Sequence, residues 1–241
     1  MHMPMMMYDP TFLLIIPGLI LSLWAQWKVK STYATYSQVG TRSGMTGADV
    51  ARLILRDANI GLVSDPKSAR GTVVGLEAIP GDLTDHYDPR DRTLRLSQDV
   101  YHGQSVAALG IAAHEVGHAI QHANAYSALM WRSAIYPISS ISSTLSWPLL
   151  LGGIFLGIGP LLYIGIILFS FAVLFTLVTL PVEFNASSRA LKALAHGGYL
   201  AEDELHGARK VLSAAAWTYV AAAAVAVLEL VRLLLIARNR N

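Results

Sequence analysis

The residues best placed to do chemistry are His114, Glu115 and His118, in the string His114-Glu115-Val116-Gly117-His118. Histidines four apart on a helix lie one turn apart on one face, so both imidazoles can ligate one metal ion. The glutamate between them is then placed to act as a base on a water at that metal. The spacing predicts a helix over Gln104 to Ser127, which contains no proline. At about 100° per residue, Val106, Leu109, Ala113, Val116 and Ile120 form an apolar stripe. His114 and His118 fall on roughly the opposite side, so packing and chemistry use different faces.

A catalytic zinc takes three protein ligands and leaves one position open. The chain contains no cysteine, which excludes disulfides and thiolate sites and leaves histidine and carboxylate as ligands. Candidates for the third ligand are His122, His102, His86, Asp99 and Glu183. His122 drifts about 80° round the helix from His114, too far for the same ion on a straight helix. Glu183 is the better choice. It closes a long apolar run, where a carboxylate needs a partner or a function. The helix it begins is expected to run to about Ala195 and to stop at Gly197-Gly198. Asn185 and Ser187 on that helix, with His122, are available to hydrogen-bond the ligands from behind.

The elements that must position these residues include membrane spans. Hydrophobic residues make up 54% of the 241 and charged residues only 14%, and mean hydropathy is +0.45. The apolar residues fall in four blocks, near Thr11–Trp27, Ile135–Gly157, Pro160–Val182 and Val211–Ile236, as a multi-span protein requires. The short link at Gly157-Ile158-Gly159-Pro160 makes the second and third an antiparallel hairpin. Lys28, Lys30 and Arg42 follow the first block, and Arg189, Lys192, Arg209 and Lys210 separate the third from the fourth. The positive-inside rule places both regions in the cytoplasm and the N-terminus outside. Arg238 and Arg240 then fall outside, against the rule, and Glu229 and Arg232 lie within the last block. Net charge is only +2, which gives no argument for nucleic acid. The run Met1-His2-Met3-Pro4-Met5-Met6-Met7 is read as an irregular start and not as a copper site.

Between the first two blocks lie about 100 mostly soluble residues. Met45–Asp57 reads as a helix capped by Thr46. Gly71–Ile79 is β-rich, Asp88-Pro89-Arg90-Asp91 is a turn, and Thr93-Leu94-Arg95-Leu96-Ser97 alternates as a strand. An open edge on that last strand, carrying Leu94 and Leu96, would pair with an extended peptide beside the metal. His86 and Tyr87 are candidate donors to an oxyanion or contacts to substrate, and Arg189 a candidate contact to a peptide carbonyl. His196 and His206 read as surface residues. The serines Ser139, Ser140, Ser142, Ser143 and Ser146 read as helix packing, as does the Gly153/Gly157 pair.

Four stretches carry a resemblance: Leu83-Thr84-Asp85-His86-Tyr87-Asp88-Pro89; Ala112 to His122; Leu180-Pro181-Val182-Glu183-Phe184-Asn185-Ala186-Ser187; and Ala214 to Ala222. In this order, across nearly the whole chain, they resemble the YugP-type neutral zinc metallopeptidases, membrane peptidases of bacteria. That family in turn resembles the membrane gluzincins, in which a later glutamate is the third ligand, and this implies Glu183. Those relatives often carry aspartate four residues after that glutamate; here the place is taken by Ser187.

The expected fold is a mainly α integral membrane protein with about four transmembrane helices and a small zincin-like α+β catalytic region around the HExxH helix. Its expected parts are an anchor at 11–27, the catalytic region at 28–134, a transmembrane hairpin at 135–182, the third-ligand helix at 183–210 and a C-terminal membrane helix at 211–236. The expected activity is zinc-dependent endoproteolysis with one Zn2+ per chain, in the bacterial inner membrane with the catalytic region cytoplasmic. The expected partners are membrane-associated or unfolded polypeptides, the bilayer itself and other membrane proteins. The alternative is a zinc-bearing scaffold without turnover, which would have no need of Glu115.

Overall fold

The computed structural model describes residues 10–63, 68–69 and 71–239; the methionine-rich start and Arg240 lie outside the described residues. The chain is mostly helical, with one small sheet. A 3-10 turn at Pro10–Leu14 leads into α1 (Ile16–Tyr36), then α2 (Gly47–Asp57), β1 (Gly61–Val63), β2 (Val73–Ile79), β3 (His86–Asp88) and β4 (Thr93–Ser97). Then follow the short α3 (Gln98–Tyr101), α4 (Val106–Ala123), α5 (Ser127–Phe155), α6 (Gly159–His196) and α7 (Glu202–Arg238). Among the described residues, four helical stretches are long and apolar enough to cross a membrane: Pro10–Tyr36, Ser127–Phe155, Gly159–His196 and Glu202–Arg238.

The chain folds as two compact units, each assembled from segments distant in sequence. The first comprises residues 10–26, 131–180 and 217–239 of the described chain. It has the surface of a protein solvated by lipid: Leu23, Ile141, Phe155, Leu156 and Ile167 are all exposed, which water would penalise and acyl chains do not. Inside it, Leu150, Leu162, Ile166, Phe169, Val173 and Leu233 form a core. A Cβ on Gly153 would lie 2.4 Å from the Leu162 backbone nitrogen, so the α5–α6 hairpin closes on bare backbone there.

The second unit, residues 27–130 and 181–216, contains the sheet, α2, α3, α4, the end of α6 and the start of α7. Helix α2 starts on a reciprocal capping box: Thr46 Oγ1 accepts from the Asp49 N–H, and the Asp49 carboxylate accepts from the Thr46 N–H. The sheet order is β1-β2-β4-β3. Strand β4 runs parallel to β2 and antiparallel to β3, with Tyr87 opposite Leu94. This corrects the expectation of an open edge on β4. It is an inner strand, and Leu94 and Leu96 are 0% exposed in the core with Val50, Leu55, Leu109 and Val116. Residues two apart share a strand face, so both leucines serve packing, each contributing about 1.5–3 kcal/mol of burial, and neither is available to a substrate. The edge strand beside it is β3, built from His86-Tyr87-Asp88, a stretch the sequence offered only as a turn or a site.

Candidate metal centre

Helix α4 is capped by Ser105, whose hydroxyl accepts from the Ala108 N–H. Its small residues let neighbours close in. A Cβ on Gly117 would lie 2.6 Å from the Ala186 carbonyl oxygen, so α4 and the end of α6 touch backbone to backbone one residue before His118. Ala186 lies three residues after Glu183, and this contact brings Glu183 against the histidine face of α4.

The result is a tight cluster. Glu183 Oε2 lies 3.3 Å from His114 Nε2 and 3.5 Å from His118 Nε2. The side chains of His114, His118 and Glu183 are only 12%, 11% and 5% exposed. Among the described residues these three form the group with metal-binding geometry, with all three ligand atoms within 4.8 Å of one another. Zinc–ligand bonds of about 2.0–2.1 Å at tetrahedral angles set donors about 3.3 Å apart, so the triad fits that ion. Glu183 Oε2 is buried with no hydrogen-bond partner among the described residues. A buried carboxylate oxygen left so is costly unless a cation takes it up. At His118, burial disfavours the charged imidazole, but Glu183 and Glu115 outweigh it and raise its pKa. The site as a whole attracts positive charge.

The groups behind the ligands are specific. Ser187 Oγ lies 3.1 Å from His114 Nδ1. Gln121, fully buried, has its Oε1 3.0 Å from His118 Nδ1, and its Nε2 donates to the Val182 carbonyl at 2.8 Å and to Asn185 Oδ1 at 3.0 Å. Arg189 Nε donates to the same Asn185 oxygen at 2.7 Å, and its guanidinium lies over the Tyr126 ring. Asn185 and Arg189 therefore join the site through Gln121, a residue that sequence reasoning missed. The signal was there: Gln121 lies three residues after His118, on the same face of the helix.

Glu115 is buried, and its Oε2 accepts the Tyr87 N–H at 3.0 Å. This N–H belongs to the edge of β3 that is not paired with β4. The Tyr87 hydroxyl is turned elsewhere, 2.8 Å from His122 Nδ1. His122 thus anchors β3 to α4 and, among the described residues, hydrogen-bonds none of the three candidate ligands, and the Tyr87 hydroxyl is engaged where an oxyanion donor was expected. Burial pushes the Tyr87 phenol up to about 12 and pulls His122 down, so both groups are held neutral, and the direction of the bond between them follows the His122 tautomer. His86 is exposed, with Nδ1 on the Thr84 carbonyl at 2.8 Å. Asp85 accepts from both the N–H and hydroxyl of Ser97, tying the start of β3 to the end of β4. Burial raises its carboxyl, and the nearby Glu115 charge adds to that.

Comparison with known proteins points to a family of zinc peptidases. Residues 11–238 match the model of a family described as "Putative neutral zinc metallopeptidase". The chain is 50% identical over 226 residues to the "Putative membrane protease YugP" of Bacillus subtilis (strain 168), covering 94% of this chain and 96% of that one. No solved structure matches. With a match that runs from the first membrane helix to the last, the chain belongs to the neutral zinc metallopeptidase family.

Proposed function

We propose that this protein is a membrane endopeptidase in which His114, His118 and Glu183 hold one Zn2+ and Glu115 is the catalytic base, in a zincin-like arrangement of the gluzincin type. The observation that carries the reading is the buried Oε2 of Glu183, which makes no hydrogen bond among the described residues and lies 3.3 and 3.5 Å from two imidazole nitrogens one helical turn apart. Bound zinc supplies Lewis acidity, bringing a water toward deprotonation at neutral pH and polarising a carbonyl. Glu115 does the proton work. The Tyr87 N–H holds one of its oxygens, and the other takes a proton from the attacking water and passes it to the leaving amine. An extended substrate meets the sheet at β3, the strand beside Glu115, since β4 is enclosed within the sheet.

The second unit faces the cytoplasm in this reading. Its two segments carry Lys28, Lys30, Arg189, Lys192, Arg209 and Lys210 and are joined through one pair of spans, α5 and α6, which supports one side for both. Substrates are then membrane-adjacent or unfolded chains, as in quality control of membrane proteins in the bacterial inner membrane.

The test is zinc content and casein cleavage by purified wild type, Glu115→Gln and Glu183→Ala. The expected result is one zinc per chain in wild type and Glu115→Gln, little in Glu183→Ala, and cleavage by wild type alone. Full zinc in Glu183→Ala would remove it as a ligand. Cleavage by Glu115→Gln would remove the base, and zinc without cleavage of casein or of a membrane-anchored substrate would favour the scaffold.

A further inference from the structure

We infer that Gln121 is a positioning residue which, with Asn185 and Arg189, fixes the direction of the hydrogen bonds behind His118 and so keeps Nε2 as the nitrogen free to bind metal. This rests on the zinc reading of the same site and deepens it.

The argument starts from groups that cannot exchange roles. Arginine only donates, so the Asn185 atom receiving Arg189 Nε at 2.7 Å is its oxygen. A backbone carbonyl only accepts, so the Gln121 atom 2.8 Å from the Val182 oxygen is its NH2. That NH2 also faces the Asn185 oxygen, so the two assignments agree. Oε1 of Gln121 is left to face His118, and His118 must donate from Nδ1 whether or not the ring is protonated. Nε2 is then the nitrogen that can shed a proton, and it lies 3.5 Å from Glu183 Oε2.

The same amide ties α4 to α6 at residues 182 and 185, on either side of Glu183. One side chain thus sets both the tautomer of one ligand and the distance to another. Nothing comparable fixes His114 among the described residues. Its partner is the Ser187 hydroxyl, which can donate or accept and imposes no direction. The Gln121 network is fully buried at its centre, so solvent cannot replace a lost bond.

The test uses the full-length protein in detergent. Zinc affinity is measured by competition with a chelator, Co2+ absorption reports ligand geometry, and thermal unfolding is followed without metal. Gln121→Met has similar volume and makes none of these bonds; its zinc affinity is expected to fall by about 10–100-fold, with a changed Co2+ spectrum. Gln121→Glu keeps an oxygen for His118 and gives up the donors, so affinity should return toward wild type while metal-free stability stays low. Arg189→Met should weaken zinc in the same direction by less. Should Gln121→Met fail to fold, Gln121→Asn, one methylene shorter, withdraws the oxygen and should also weaken zinc. Wild-type affinity in Gln121→Met or Gln121→Asn overturns the inference, as does equal loss in Gln121→Met and Gln121→Glu, which would leave a role in helix packing alone. A wild type that binds no zinc overturns the metal centre itself, a different result.

Discussion

Two long apolar helices each bury a glutamate, and the two glutamates are treated in opposite ways. In α7, Glu229 is paired within its own helix, its Oε1 3.0 Å from Arg232 Nη1, and the Arg232 guanidinium lies over the Phe12 ring. In α6, Glu183 is equally buried but has no arginine or lysine in ion-pair contact among the described residues; it faces two imidazoles and keeps an oxygen without a hydrogen bond. A charge in an apolar helix must be neutralised. Glu229 is neutralised locally, three residues along its helix. In the proposed reading, Glu183 and the two imidazoles it faces await a metal ion from outside the chain.

This contrast is open to test, starting where the effect is largest. Glu183→Gln should lower zinc affinity by more than the ~100-fold that loss of a partner behind a ligand costs, while Glu229→Gln should leave zinc content unchanged. Metal analysis of the two purified variants reads both, and a loss of zinc in Glu229→Gln would erase the distinction. Stability should reverse the order. Glu229→Ala removes the carboxylate 3.0 Å from Arg232 and should destabilise the protein by on the order of 3 kcal/mol, whereas replacing both residues with methionine should be close to neutral. Thermal unfolding in detergent measures this.

Close backbone approaches sharpen the same comparison at smaller scale. Gly117→Ala and Gly153→Ala each place a Cβ inside contact distance of backbone, at 2.6 Å from the Ala186 oxygen and 2.4 Å from the Leu162 nitrogen. Each should cost about 1–3 kcal/mol, but only Gly117→Ala, beside His118, should also weaken zinc. The smallest effect concerns pH. His122 has its pKa lowered by burial, so the folded state takes up that proton less readily than the unfolded chain. The stability it contributes is present above about 6.5 and is lost as pH falls through the lowered folded value. His122→Gln should flatten that acid limb in unfolding curves taken between about pH 5 and 8, and an unchanged limb would count against the Tyr87–His122 anchor.

Much of the site could be read along the chain because its logic is local. His114, Glu115 and His118 follow from helical spacing, and the four apolar helices follow from runs of residue type. Glu183 could be singled out because a carboxylate closing an apolar run is anomalous on its own. Strand β4 was legible by its alternation, but its place in the sheet was not. Three residues of β3 cover its edge, and no local pattern announces a strand that short. Gln121 was overlooked for a related reason: its partner Asn185 is 64 positions away.

The sequence by itself thus determined the candidate ligands and base of the proposed site, the helices that carry them and the segments that lipid would solvate, since each is set by neighbours within a few turns or by summed hydropathy. Only the tertiary structure decided which strands form the edges of the sheet, that the Tyr87 backbone and not its hydroxyl meets Glu115, and that a glutamine hydrogen-bonds His118. These depend on distances between chain segments that meet only on folding. The bare backbone approach of Gly117 to Ala186 is the physical step that brings them together.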